Sequence, residues 1–286
     1  MQIITLTSDL GLKDHYVASL KAMILQLSPS VTIVDISHQV LPFNVIQASH
    51  LIKFCFEDFP LGTIHVIGVN DEPEIDAPEN QQMVPAIIFF KGHYFISNDN
   101  GFFGALVGED EHEGFYRLTD ALSNPKNISS PTRNMLIPAA CKIANGERIE
   151  DIGYEFSSFR NAFISVPITE PNLILGHIIY IDLYGNLITN IHKSLFDEIG
   201  KGNEFTIYIR NKDYHISEIS STYNAVPTGQ SVAVFNKNNY IEIAINKGAN
   251  ATHGGAEKLM GMKLDDMVRI LFTSRGSHVK IDDLFV

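Results

Sequence analysis

Met1 to Leu12, MQIITLTSDLGL, is an apolar strand that runs directly into Ser8-Asp9-Leu10-Gly11, with a helical pattern beginning just beyond it. In an open α/β sheet ligands gather outside the carboxyl ends of the strands, so a carboxylate and a glycine at that point make Asp9 a candidate ligand contact. The pattern continues outward from this corner. Residues His15 to Leu27 place Val17, Leu20, Met23, Ile24 and Leu27 at helix spacing, and a second apolar strand spans Val31 to Ile36, completing a βαβ unit. A further helix, Val45 to Phe56, leads through Phe59-Pro60-Leu61-Gly62 into a strand over Thr63 to Val69.

The stretch Asp71 to Gln82 holds five acids and no basic residue, and with its prolines it reads as an irregular surface loop. Strands over Ala86 to Phe90 and Tyr94 to Ser97 follow it. Then come a turn at Asn98-Asp99-Asn100-Gly101, a short helix over Phe103 to Leu106, and a helix over Pro131 to Asn145 ending at Gly146. From Pro167 to Pro171 the texture changes to alternating runs at His177 to Leu183, Glu204 to Ile209, Ser231 to Phe235, Tyr240 to Ile245 and Met267 to Phe272. The expected architecture is a three-layer α/β domain with a mostly parallel sheet over 1–168, and a smaller all-β barrel or sandwich over 169–286.

At 286 residues and 45% hydrophobic composition the chain can bury one large core or two modest ones. Its 21 basic and 33 acidic side chains give a net charge of -12, which speaks against a nucleic-acid or anionic-membrane partner, although mild acidity is also an ordinary route to solubility. Cys55 and Cys141 both sit in apolar helical contexts, so buried thiols are expected in place of a disulfide framework or a cysteine metal site. The N-terminus lacks a basic leader region, and apolar runs such as Val84 to Phe90 are far short of a membrane span. A cytoplasmic protein without a membrane partner is expected.

Several clusters carry the residue types that chemistry needs. Asp9 and Asp14 bracket a glycine where an ionised carboxylate can accept hydrogen bonds from vicinal hydroxyls; Asp14 also suits the start of a helix. Neither a GxGxxG nor a GK[ST] phosphate loop is present. Asp35 and His38 end the second strand, and a solvated turn is the simpler reading of that pair. Asn70-Asp71 ends the third strand, and Thr132-Arg133-Asn134 opens a helix that Thr132 is equally suited to cap. Asp182-Leu183-Tyr184-Gly185-Asn186 sets an aromatic, a carboxylate and an amide in one turn; such a set can hold a planar base by stacking and edge hydrogen bonds.

These pieces, in this order, resemble the S-adenosylmethionine hydroxide adenosyltransferase family, which includes the related fluorinases and chlorinases. Its marks are Thr7-Ser8-Asp9-Leu10-Gly11 with Asp14 and Tyr16-Val17, Ile33 to His38, Phe59 to Val66, Asp99-Asn100-Gly101, Arg133 with Ile137-Pro138-Ala139-Ala140, Asp182 to Asn186 followed by Thr189-Asn190-Ile191, and Ile243 to Asn246. The resemblance implies a homotrimer with S-adenosylmethionine as substrate or ligand, and no cofactor or metal besides it. It implies that Asp9 binds the ribose hydroxyls, Phe43 lines the pocket, Tyr184 and Asn186 contact the adenine, and Asp182 receives the methionine ammonium. It also implies attack of a nucleophile on the ribose C5′ carbon, with neutral methionine leaving.

The departures from that pattern concern the water-activating groups. Hydrolytic members carry an aspartate after the third strand in a VDPGVG-like run, an arginine a few residues on, and a histidine just before the arginine corresponding to Arg133. Here Asn70 stands at the aspartate, or Asp71 after a one-residue slip. No Arg or Lys occurs between Asp71 and Phe90, and Pro131 stands at the histidine. Thr132 corresponds to the pocket hydroxyl of the halogenating branch. Lys237 and Asn238 stand where the methionine carboxylate would be met, with Lys237 able to supply positive charge. The expectation is therefore hydrolysis of S-adenosylmethionine by a rearranged set drawn from Asn70, Asp71 and Thr132, with binding of a nucleoside ligand without turnover as the alternative. An unrelated metal hydrolase using Asp35, His38 and His65 is a third possibility.

Overall fold

The computed structural model describes residues 2–74, 78, 82–108, 110–118, 129–252 and 254–273. The chain divides into two compact units, Met1–Ile164 and Ser165–Val286. Among the described residues no helix is long and apolar enough to cross a membrane.

In the first unit the elements run β1 (Ile3–Ser8), α1 (Tyr16–Leu27), β2 (Thr32–Ser37), α2 (Val45–Lys53), β3 (Ile64–Gly68), β4 (Pro85–Phe90), β5 (His93–Asn98), α3 (Phe102–Val107), β6 (Phe115–Leu118), α4 (Ile137–Ala144), α5 (Ile149–Ile152) and β7 (Gly153–Glu155). They build a seven-stranded sheet in the order β2-β1-β3-β5-β4-β6-β7. The first four strands are parallel and the last three join antiparallel. The switch in direction is made by the β4–β5 hairpin, where Lys91 and Gly92 both take positive φ, 47° and 77°, as a two-residue type I′ turn requires.

The sheet is covered on both faces, which gives the three layers expected from the sequence. Ile4, Leu6, Ile64, Val66, Ile87 and Ile96 pack against Leu20 and Ile24 of α1 and the apolar face of α4. The alternate residues Ile67, Ala86, Ile88, Phe90 and Phe95 pack against Ala48 and Ile52 of α2 and Phe102, Phe103 and Leu106 of α3. Each fully buried side chain of this size contributes about 1.5–3 kcal/mol. Asn44 caps α2 by accepting from the Gln47 N–H at 2.9 Å. Leu27, expected on the buried stripe of α1, is exposed: it is the last residue of the helix, beyond Ile24, the last buried position of the stripe. The single helix expected over Pro131 to Asn145 is two segments: a π-helical turn over Thr132–Leu136, then α4 with Pro138 in its first turn.

The second unit runs β8 (Ile168–Glu170), β9 (Leu173–Ile181), β10 (Leu187–His192), α6 (Lys193–Gly200), β11 (Glu204–Ile209), β12 (Asn211–Ile216), β13 (Ser231–Phe235), β14 (Tyr240–Ile245), α7 (Ala256–Met260) and β15 (Met267–Thr273). Its sheet is antiparallel throughout, in the order β12-β11-β15-β9-β10-β14-β13, with β8 on β9. Alternate residues of all seven main strands, among them Ile174, Leu187, Ile207, Ile216, Ala233, Ile243 and Ile270, enclose one apolar interior. The sheet is therefore curled nearly into a barrel. Of the acidic loop expected over Asp71 to Gln82, residues 75–77 and 79–81 lie outside the described residues, and Glu74 bridges Met83.

Candidate functional site

Two sets of polar side chains stand out, one in each unit. In the first, parallel pairing sets Ser8 opposite Gly68, so the chain leaves β1 at Asp9 and β3 at Asn70-Asp71 on the same edge of the sheet. The Asp9 carboxylate accepts the Phe43 N–H on Oδ2 at 2.9 Å. Phe43 holds a left-handed φ of 65° and is 72% exposed, an unusual state for an aromatic. Neighbouring loops are stitched together beside it. Gly11 N–H donates to the His38 carbonyl at 2.7 Å, and Ser8 Oγ lies 2.7 Å from His38 Nδ1.

His38 itself is buried, which overturns the solvated turn expected for Asp35-Ile36-Ser37-His38. Its Nε2 lies 3.2 Å from Asp35 Oδ1, and Lys21 pairs with the same carboxylate. Burial acts to raise the Asp35 carboxyl, but hydrogen bonds from Lys21 and His38 and their charges outweigh it and hold the group below its ordinary range. In this turn His38 alone is withdrawn from solvent, its ring held against Ser8 of β1, while Asp35 and Gln39 on either side remain exposed. Cys55, expected as a buried thiol, is only half-buried, its Sγ bonded to the Leu51 carbonyl, while Cys141 is fully buried.

At the end of β3, Asn70 takes a left-handed φ of 49°, a conformation asparagine tolerates. Asn100 Nδ2 secures this turn by donating to the carbonyls of Val69 at 2.9 Å and Asn70 at 2.8 Å. Asn98 Nδ2 donates to the Asp71 carbonyl. The turn delivers the Asp71 carboxylate to Thr132, whose backbone N–H donates to Oδ2 at 2.7 Å and whose hydroxyl donates to the same oxygen. Thr132 is thus not a helix cap; it is the group being capped. Its side chain lies directly over Gly68, where an added Cβ would fall 2.1 Å from Oγ1. Asp14 lies two residues before Tyr16, the first residue of α1, and the N-cap position is held by His15, which makes no side-chain cap.

In the second unit a cavity of about 480 Å³ is lined by Asp182, Tyr184, Asn186, Tyr223, Asn246 and Lys247 among others. Its size is in the range of small-molecule sites. The turn between β9 and β10 carries the first three residues. Asn186 N–H bonds to Asp182 Oδ1 at 2.8 Å, and Asn250 N–H holds the Tyr184 carbonyl at 3.0 Å. Gly185 is required in that turn: its φ is 82°, and an added Cβ would meet Asn250 Oδ1 at 2.4 Å.

Behind Asn186 stands Glu242 of β14, 6% exposed, which accepts from Asn186 Nδ2 at 3.0 Å and from the Tyr223 hydroxyl at 2.7 Å on one oxygen. Burial pushes the Glu242 carboxyl up; it also raises the Tyr223 phenol, with the Glu242 bond and charge acting in the same direction. Glu242 and Tyr223 were not among the candidates read from the sequence. An acid interrupting the apolar run Ile241 to Ile245 was a legible signal for the first, whereas nothing local marked the second. Lys237 sits in the β13–β14 turn, at the far end of β14 from the cavity rim at 244–249, on the order of 17 Å along the strand. Lys247, with φ 56°, lines the cavity.

The third possibility from the sequence, a site joining Asp35, His38 and His65, is not assembled. His65 lies in the core with Nδ1 2.8 Å from Thr5 Oγ1 and Nε2 3.4 Å from His93. Among the described residues no group of three or more His, Cys, Asp or Glu side chains is placed to hold a metal ion.

A doubly covered α/β unit with carboxylates at its strand ends, followed by an antiparallel barrel with a polar cavity, defines a two-domain small-molecule-binding class. Within it, residues 4–153 match the family model of the SAM hydroxide adenosyltransferase N-terminal domain and residues 176–269 that of the C-terminal domain. The chain belongs to the SAM hydroxide adenosyltransferase family. It is 25% identical over 284 residues to an (R)-S-adenosyl-L-methionine hydrolase of Thermus thermophilus, covering 95% of this chain and 100% of the relative. It is 25% identical to a fluorinase of Nocardia brasiliensis, over 87% of this chain and 92% of that one. A crystal structure of an uncharacterized conserved protein from Thermotoga maritima superposes with a TM-score of 0.80 at 25% identity, covering 95% of this chain and 100% of that chain.

Proposed function

We propose that this protein binds S-adenosylmethionine and hydrolyses it to adenosine and methionine. The carrying observation is the Asp71–Thr132 pair, set on the same sheet edge as Asp9 by the Ser8–Gly68 register. In this reading Asp9 Oδ1, left open when Phe43 takes Oδ2, accepts from the ribose hydroxyls. Tyr184 and Asn186 take the adenine, and Asp182 takes the ammonium of the methionine part. Phe43 supplies an exposed aromatic wall.

Water, oriented by the Thr132 hydroxyl, attacks the ribose C5′ carbon as Asp71 accepts its proton. The C5′–S bond breaks, and its electron pair neutralises the sulfonium as methionine leaves. Charge is dissipated at sulfur in this step, so alignment and exclusion of bulk water contribute most of the acceleration. The proposal includes the homotrimer that the family resemblance implies, in which the Asp9 edge of one copy and the Asp182 cavity of a neighbouring copy complete one binding site.

Pro131 in place of the expected histidine, together with the absence of basic residues between Asp71 and Phe90, supports a second reading in which the ligand is held without turnover. Incubating purified protein with S-adenosylmethionine and separating the products by chromatography distinguishes the two. Adenosine above the protein-free control supports hydrolysis; no adenosine, with calorimetric binding of S-adenosylmethionine, supports the second reading and ends the first.

A further inference from the structure

The amide of Asn186 is spent on one side. Its Nδ2 carries two N–H bonds, and these go to Asp182 Oδ2 and to Glu242 Oε1, each at 3.0 Å. Both partners are carboxylates, so the opposite amide orientation would set Oδ1 against two acceptors and is excluded. Only the carbonyl Oδ1 of Asn186 remains for a ligand in the cavity. Glu242 cannot swing away, because the Tyr223 hydroxyl holds the same oxygen at 2.7 Å and the side chain is buried.

We propose that Glu242 is a positioning residue that fixes base specificity: together with Asp182 it consumes both amide protons of Asn186 and leaves that side chain an acceptor only, which selects a 6-aminopurine over a 6-oxopurine. This rests on the reading that the Asp182–Asn186 cavity takes the base of the ligand. An amino group on the base donates to Oδ1, whereas a carbonyl at the same place sets acceptor against acceptor and leaves both desolvated without a partner.

The test measures adenosine and inosine binding to the full chain by calorimetry. The native protein is expected to prefer adenosine by about tenfold or more, the effect of one unsatisfied buried hydrogen-bonding group. In Glu242→Met one anchor of the amide is lost while Asp182 Oδ2 still holds the other N–H, so the preference is expected to fall only in part. In Glu242→Met combined with Asp182→Ala the amide is free to rotate, a donor becomes available, and the preference falls to within about threefold, mainly by gain of inosine affinity. A cavity that is merely loosened would weaken both nucleosides alike and leave the ratio in place, which overturns the proposal. Asn186→Ala provides a second arm and is expected to erase the preference by loss of adenosine affinity; a retained preference there overturns it as well. Equal binding of the two nucleosides by the native protein ends the specificity proposal alone, while binding of neither ends the reading of the cavity and this proposal with it.

Discussion

Asp9 is held by the backbone of Phe43: the Phe43 N–H donates to Asp9 Oδ2 at 2.9 Å, from a residue whose φ of 65° is left-handed. One oxygen of the carboxylate is thereby fixed in direction, and the other is presented with its orientation already set. An ionised acceptor held in this way forms stronger hydrogen bonds with hydroxyls than a freely rotating one. The loop after β2 accordingly acts on the ligand through Asp9 as well as through the Phe43 ring.

Asp9→Ala is expected to remove S-adenosylmethionine binding, with a loss of at least ~10-fold measured by calorimetry. Phe43→Gly should relieve the positive φ while deleting the ring. It is expected to leave thermal stability near the native value and weaken binding. Unchanged affinity in Asp9→Ala would mean that the ligand lies elsewhere.

For the Asp71–Thr132 pair the expectation is kinetic. Asp71→Asn should cut adenosine formation by about 10² to 10⁴, the usual range for a general base, with ligand affinity little altered. Thr132→Val keeps the shape and removes the hydroxyl, so it should reduce the rate without abolishing it. Turnover by Asp71→Asn at the native rate would assign proton acceptance to another group.

Gly68→Ala is expected to disturb that pair from below, since its Cβ would lie 2.1 Å from Thr132 Oγ1. Overpacking of this kind typically costs about 1–3 kcal/mol, read as a lowered unfolding midpoint, and adenosine formation should fall with it. A variant of native stability and activity would show that the π-helical turn can retreat from β3.

Acid should destabilise the first unit through His65. Burial, and secondarily the adjacent His93, lower its folded-state value to about 3, against 6.5 for the free side chain. Above pH 6.5 both states are neutral and the full stability is present. Between 6.5 and about 3 the unfolded chain takes up a proton that the folded chain refuses, so stability falls as pH falls. The contribution by pH 5 is about 2 kcal/mol, observable as a lower urea midpoint than at pH 7. Replacing the pair by Thr5→Val with His65→Leu should reduce that drop, and an equal drop in the double variant would trace the acid sensitivity to other groups.

The layered fold was legible in the sequence because the two periodicities are local properties. Alternate residues of β1 and the i, i+3, i+7 set Val17, Leu20 and Ile24 of α1 must face a core wherever the chain places them. The same locality exposed Asp9, which sits at a strand end, and the Asp182 to Asn186 turn, where Gly185 alone can hold the backbone.

Tertiary structure alone decided which polar groups meet. Asp71 and Thr132 are 61 residues apart, and Asn186 and Glu242 are 56 apart; each pair is joined only after strands align in register. His38 looked like part of a solvated turn because its burial depends on Ser8, a neighbour 30 residues away in another strand. Local sequence specifies which face of an element is apolar, whereas hydrogen bonds between distant side chains depend on register and packing, and these exist only once the sheets have closed.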